Sequence, residues 1–219
     1  MKKVYIGMSL DFIHHGHMKI IEEARKYGSI TLGLLTDKAI SQKKQIPYLD
    51  YEKRKKIAQN LKGIDYVIPQ DEWDYSFNIE KIKPDYFIHG DDWKSNDIKT
   101  RANVIEALSN HGGKLIEISH TKNINSSSLK KNLFNVGISP DIRRTSLKRN
   151  LQNKKILRFI EAHSPLSAMI SENLVIEKND EKKFFDGFWS SSLTDSTLLR
   201  KPDIEAINIS QRLSNVNNI

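Results

Sequence analysis

Asp11-Phe12-Ile13-His14-His15-Gly16-His17 comes just after a short apolar run, Val4-Tyr5-Ile6-Gly7, and its reading decides the fold. The run predicts a strand over Lys3–Gly7, then a tight turn, then a helix starting near His17. Met18, Ile20, Ile21 and Ala24 supply the apolar helical spacing, and Gly28 is the stop signal. Gly16 allows a close approach of backbone or ligand that a Cβ would prevent. The free amides at the helix start favour an anion. The histidines around Gly16 can each donate a ring N–H to a phosphate oxygen. Three of the seven histidines fall within four residues, which sets this stretch apart from an ordinary strand-to-helix turn. It reads as a place to hold the phosphates of a nucleotide.

Outward from this turn, strands and helices alternate. Ser29–Leu35 is almost continuously apolar, as a buried parallel strand requires. A loop opening at Thr36-Asp37 carries Lys43, Lys44, Pro47 and Tyr48, and a helix over Tyr51–Leu61 follows. Further strands are expected at Ile64–Ile68, ended by Pro69, at Tyr86–His89 and at Lys114–Ile118. Helices are expected between them, one short and before Ile82, the other over Thr100–Asn110. Ser126-Ser127-Ser128 would cap a last helix, Leu129–Leu133. This order implies an α/β fold with a doubly wound parallel sheet, whose ligands sit outside the carboxyl ends of the strands. The histidine turn, Gly90-Asp91-Asp92-Trp93 and the triple serine all stand at such ends. Beyond about Gly137 the character changes to a basic helical stretch with Arg143, Arg144, Lys148, Arg149, Lys154 and Lys155. Short strands at Ile156–Ile160 and Gly187–Trp189 follow, separated by a helix ending near Leu174 and a charged loop, Glu177–Lys183.

Composition narrows the possibilities. The chain has 219 residues and no cysteine, so disulfides and thiolate metal sites are excluded. No apolar run approaches a membrane span, no signal peptide is recognisable, and a cytoplasmic protein is expected. The net charge of +8 suits nucleic acid or a polyanionic small substrate. Without a continuous aromatic and basic stripe the small anion is preferred.

His14-x-Gly16-His17, preceded by Asp11, resembles the HxGH signature of the cytidylyltransferase family. Related signatures occur in adenylyltransferases of the same superfamily, which remain an alternative. Gly90-Asp91-Asp92-Trp93 is similar to the GDDW of glycerol-phosphate-type cytidylyltransferases and implies that Asp92 and Trp93 lie near cytidine. Thr121 to Ser128 resembles the second signature, RTxGIST, but His120 stands for the usual Arg, Asn123 for Gly and Asn125 for Ser. The resemblance implies catalytic roles for His14, His17 and Lys43. It implies nucleotide contacts for Gly7, Asp11, Gly16, Arg54, Asp92, Trp93, Thr121, Ser126, Ser127 and Ser128. Mg²⁺ would accompany CTP, and no protein metal site is expected. The partners implied are CTP and a small phosphonate or phosphate acceptor, in a homo-oligomer, with neither membrane nor nucleic acid as partner. His15, Lys62 and Trp73 align with weaker claims, and His89 is expected to be a packed strand residue.

The later segments, Glu161 to Ala168 and Gly187 to Asp203, look like the opening of phosphoenolpyruvate mutase, a (β/α) barrel of the isocitrate lyase superfamily. Trp189, Ser191 and Asp203 would then line a substrate site. An incomplete barrel is expected, with the family's Mg²⁺-holding aspartates and gating loop beyond Ile219 and no mutase activity in these 219 residues. The combined resemblance is to bifunctional enzymes of phosphonate biosynthesis. It divides the chain into a cytidylyltransferase-like domain (1–137), a basic linker helix (138–155) and a barrel segment (156–219). A nucleic-acid binder, motivated by the charge, and a non-catalytic scaffold, motivated by the altered second signature, are the rival readings.

Overall fold

A computed structural model describes residues 1–119, 140–178, 181–204 and 206–217. It forms two units, Met1–Arg149 and Asn150–Ile219. The first is built on five parallel strands: β1 (Lys3–Met8), β2 (Ser29–Leu35), β3 (Tyr66–Gln70), β4 (Tyr86–Gly90) and β5 (Lys114–Ile118). Their order across the sheet is β3-β2-β1-β4-β5, with Val4 paired to Ile30 on one side and to Tyr86 on the other. From β1 the chain winds outward first to one edge and then, after β3, returns to fill the other. The direction therefore reverses between β1 and β4, which is where such sheets open a ligand crevice.

Alternation along the strands sorts the core into two layers. Val4, Ile6 and Met8 join Ile21 and Ala24 of helix α1 (His15–Arg25) and Ala58 of a later helix on one face. Tyr5, from the other face of β1, packs with Ala39, Ile40, Tyr75, Ile79, Phe87, Trp93, Val104 and Leu108. Among the described residues, the other helices of this unit are α2 (Asp37–Ser41), α3 (Tyr51–Gln59), α4 (Ser76–Ile82), α5 (Trp93–Asn96), α6 (Ile98–Ser109) and α7 (Pro140–Asn153), the last running into the second unit. Gly7 shows why β1 needs a glycine at its carboxyl end. A Cβ there would lie 2.2 Å from the Tyr75 ring.

Several boundaries differ from the sequence reading. The third strand begins at Tyr66 and includes Pro69, which was expected to end it. It is an edge strand, where the missing N–H of proline removes no ladder bond that the sheet needs. Asp65 lies just outside it, its carboxylate accepting from the Ile30 amide at 2.7 Å and the Ser29 hydroxyl at 2.9 Å. Asp37 opens a short helix instead of a loop, because the Thr36 hydroxyl accepts from the Ala39 amide. The helix expected from Thr100 starts at Ile98, capped by the Asp97 carboxylate. Thr121, Ser126, Ser127, Ser128 and the expected helix Leu129–Leu133 lie outside the described residues.

The second unit holds two parallel strands, β6 (Phe159–Glu161) and β9 (Gly187–Trp189), registered Phe159 to Gly187. Between them run α8 (Pro165–Asn173) and a hairpin, β7 (Ile176–Lys178) with β8 (Glu181–Lys183). The hairpin occupies the stretch read as a charged loop. Ser164 caps α8 reciprocally with Ser167, and Ser191 caps α9 (Ser192–Leu198), with α10 (Ile209–Asn217) last. Lys154 pairs with Asp186, whose other oxygen accepts from the Arg158 amide at 2.9 Å.

Candidate active site

The histidine turn leaves β1 through a strained residue. Leu10 is fully buried at φ 51°, a conformation that disfavours an L side chain by roughly 1–2 kcal/mol. Its surroundings hold it there: the Ser9 carbonyl accepts from Arg54 at 2.6 Å, and the Asp11 carboxylate accepts from the Tyr48 amide at 2.7 Å.

α1 begins two residues earlier than its apolar pattern suggests, because the histidines themselves cap it. His14 is the N-cap in extended conformation, and its Nδ1 accepts from the Gly16 amide at 3.2 Å. The His14 amide in turn donates to Nδ1 of His17 at 3.3 Å. Both Nδ1 atoms act as acceptors, so Nε2 is the nitrogen that carries the proton in each neutral ring. The two rings lie 4.0 Å apart between centroids. Burial, and then the neighbouring His14, push the His17 imidazole down to about 4. His17 is therefore a neutral Nε2–H donor at neutral pH, fixed by backbone at the start of a helix whose first amides favour an anion.

Lys43 and Lys44 follow α2, their amides both on the Ile40 carbonyl, with Lys44 Nζ 5.2 Å from the Trp73 ring centroid. The far end of this loop is gripped from two sides. Asp11 Oδ1 takes the amides of Tyr48 and Leu49. Arg54 Nε donates to the Leu49 carbonyl at 3.1 Å, and its Nη1 donates to the carbonyls of Ser9 and Leu35. Arg54 Nη2 completes the set on Asp37 Oδ1 at 2.7 Å. Arg54 is fully buried with its donors committed to this scaffold, so in this conformation it presents no surface to a ligand. Asp11 likewise holds loop amides with one carboxylate oxygen.

On the other side of β1, Gly90-Asp91-Asp92-Trp93 turns from β4 into α5. Asp92 is exposed, whereas Trp93 is buried, stacked on His89 at 4.0 Å and 20°. Its indole N–H donates to Glu117 at 2.9 Å. His89 Nδ1 meets the Gly90 carbonyl at 2.9 Å, and burial lowers the pKa of the ring. Glu117, which the sequence reading did not single out, also accepts from Arg101 at 2.9 and 3.1 Å and pairs with Lys94 at 3.2 Å. The Arg101 hydrogen bond leads the interactions that hold its carboxyl at about 2. An apolar strand with one acidic residue was the available signal, but its partners come from α5 and α6.

The fold thus brings Gly7, Asp11, His14, Gly16, His17, Asp92 and Trp93 to the carboxyl ends of β1 and β4. Trp73 stands apart, its Nε1 donating to Asp97 at 2.5 Å. Lys62 lies in the turn after α3. In the second unit, Trp189 is exposed at the end of β9, Ser191 Oγ accepts from the Thr194 amide at 3.4 Å, and Asp203 is exposed in the connection after α9. Among the described residues no group of three or more His, Cys, Asp or Glu could hold a metal ion. No helix among them is long and apolar enough to cross a membrane.

A cytidylyltransferase-like family model matches residues 5–136. Glycerol-3-phosphate cytidylyltransferase of Bacillus spizizenii is 38% identical over 96 residues, which are 43% of this chain and 74% of that protein. The enzyme of the same name from Staphylococcus aureus is 28% identical over 138 residues, 61% of this chain and 96% of its own. FAD synthase of Ferroglobus placidus is 33% identical over 107 residues, 46% and 70% of the respective chains. Among solved structures, the lipopolysaccharide core biosynthesis protein of Thermoplasma volcanium matches 57% of this chain and 99% of its own at 22% identity, with a TM-score of 0.47.

Proposed function

The chain belongs to the cytidylyltransferase-like family, and from that premise we propose that it transfers CMP from CTP to a small phosphonate or phosphate acceptor. The observation that carries this reading is the pair of backbone-set imidazoles at the start of α1, beside the reversal point of the sheet. An acceptor oxygen attacks the α-phosphorus of CTP. A new P–O bond forms, the bond to the bridging oxygen breaks, and pyrophosphate leaves with that electron pair. The acceptor oxyanion is already a nucleophile, so no strong general base is needed. Catalysis is then positioning together with stabilisation of charge on the transferring group.

In this reading His14 and His17 donate Nε2–H to phosphate oxygens and strengthen those bonds as charge develops. A neutral His17 suits the task, because it donates without needing a proton from solvent. Lys43 offsets phosphate charge from the loop. Gly16 leaves room for the phosphates at the start of α1, and exposed Asp92 stands on the base side, while Trp93, buried on His89 with its N–H on Glu117, supports that turn from within. Thr121, Ser126, Ser127 and Ser128 are proposed for the leaving pyrophosphate on the resemblance of their stretch to the second signature. Mg²⁺ would enter on the triphosphate of CTP, held mainly by substrate oxygens and water, as that ion prefers.

A phosphonate acceptor, and a phosphoenolpyruvate-mutase kinship for residues 156–219, are proposed on the resemblance of EAHxxLSA and the Trp189–Asp203 stretch. The parallel β6–α8–β9 crossover is compatible with a (β/α) unit. One observation favours a second reading: a FAD synthase, whose product contains an adenine nucleotide, is among the relatives. Pyrophosphate release measured with CTP and with ATP at equal concentration, each with 2-aminoethylphosphonate, 2-hydroxyethylphosphonate or glycerol 3-phosphate, separates these. Faster release from CTP supports cytidylyl transfer, and faster release from ATP selects the second reading.

A further inference from the structure

Arg54 has a counterpart that comes from beyond the matched family region. Arg149, on α7, donates from Nη1 to the Tyr48 carbonyl at 2.8 Å and from Nη2 to Asp37 Oδ2 at 2.8 Å. Its side chain is only 13% exposed, although Arg143, Arg144 and Lys148 of the same helix are exposed. One carboxylate, Asp37, therefore bridges two guanidiniums, taking Arg54 on Oδ1 and Arg149 on Oδ2. Those arginines hold two consecutive carbonyls, Leu49 from Arg54 and Tyr48 from Arg149, while Asp11 holds the amides of the same two residues. The end of the lysine-bearing loop is thus fixed on both edges of its backbone. The residue that completes this grip lies past residue 136, where the family match ends.

We propose that Arg149 is a positioning residue for nucleotidyl transfer, acting through Tyr48 and Asp37 to hold the 42–49 loop in its nucleotide-competent arrangement. This inference rests on the proposed CTP chemistry of the site. A guanidinium suits the task because its rigid fork spans a carbonyl and a carboxylate together, which a single ammonium cannot do with the same geometry. If the loop is ordered only a fraction of the time, apparent nucleotide affinity falls by that fraction, while the bound complex reacts as before. Removing the clamp should therefore act on KM for CTP and spare kcat.

The test compares the full chain carrying Arg149→Met, Arg149→Lys or, as a control on the exposed side of α7, Arg144→Ala. Amide hydrogen exchange over residues 45–50 reads the loop without nucleotide, and pyrophosphate release reads CTP use. Arg149→Met should speed exchange of the Tyr48 and Leu49 amides by about tenfold or more. It should raise KM for CTP by a similar factor, with kcat within about threefold of the parent. Arg149→Lys should fall between, and Arg144→Ala should match the parent in both. Unchanged exchange in Arg149→Met overturns the clamp. Faster exchange with unchanged KM, or a loss confined to kcat, overturns its positioning role. A parent chain with a protected loop but no CTP turnover overturns the CTP reading itself and leaves the exchange result to stand as loop structure alone.

Discussion

Replacing Arg54 with Met tests whether the site depends on a buried electrostatic scaffold. The methionine keeps much of the length but removes the donors to the Ser9, Leu35 and Leu49 carbonyls and to Asp37 Oδ1. Asp37 keeps Arg149, so the carboxylate is not abandoned, and the loss falls chiefly on the three carbonyls. A buried acceptor left unsatisfied costs about 1–3 kcal/mol, and breaking a buried ion pair from one side costs about 3–5 kcal/mol. Because solvent or a shifted loop can recover part of this, a net destabilisation of about 3–5 kcal/mol is expected. That is a large share of the roughly 5–15 kcal/mol that typically holds a domain together. Urea unfolding followed by Trp73 and Trp93 fluorescence reads the first unit, with Trp189 replaced by Phe to silence the second. A loss below about 1 kcal/mol would refute the scaffold role, and if CTP turnover nonetheless fell sharply, Arg54 would return to direct nucleotide contact.

Gly7→Ala should destabilise the first unit by about 1–3 kcal/mol, as overpacking does, because the new Cβ meets the Tyr75 ring at 2.2 Å; a thermal melt within error of the parent would contradict that contact. For pH, the His17 imidazole is lowered to about 4, so the folded state binds fewer protons than the unfolded chain between about 6.5 and 4. Its contribution to stability is complete above about pH 6.5 and is lost as pH falls through about 4; His17→Gln should flatten that part of the pH–stability curve. Glu117, held at about 2, contributes stability that is complete above about 4.5 and lost as pH falls toward 2. Glu117→Gln should weaken the Trp93 and Arg101 contacts, seen as a lower urea midpoint at pH 7 that converges on the parent near pH 2.

The sheet was legible because β1 and β2 carry nearly continuous apolar runs, and because the histidine turn joins a strand to a helix with clear punctuation at Gly28. The ends of other elements were harder to place. Pro69 signals a break anywhere except on an edge strand, and its position at the edge follows from pairing with β2, a tertiary fact. α1 starts at His15 because imidazoles do the capping work that serine or aspartate usually performs. The chemistry-bearing residue types around the site were visible, but not which of them support and which face the ligand. Asp11 lies beside the histidine motif and Arg54 on the next long helix, yet both reach backbone 19 to 45 residues away. Arg149 looked like one more cation on a solvated helix, and only the closed structure separates it from Arg143, Arg144 and Lys148.

The imidazoles at the start of α1 are proposed to stabilise the transferring phosphoryl group. The most direct measurement is kcat/KM for pyrophosphate release from CTP, with Mg²⁺ and a phosphonate acceptor, in the parent chain and in His17→Ala. Loss of one donor aimed at developing charge predicts a fall of about 10²–10³, or roughly 2.7–4 kcal/mol, with the far-ultraviolet circular dichroism unchanged. A His17→Ala chain that turns over CTP at the parent rate would contradict the account.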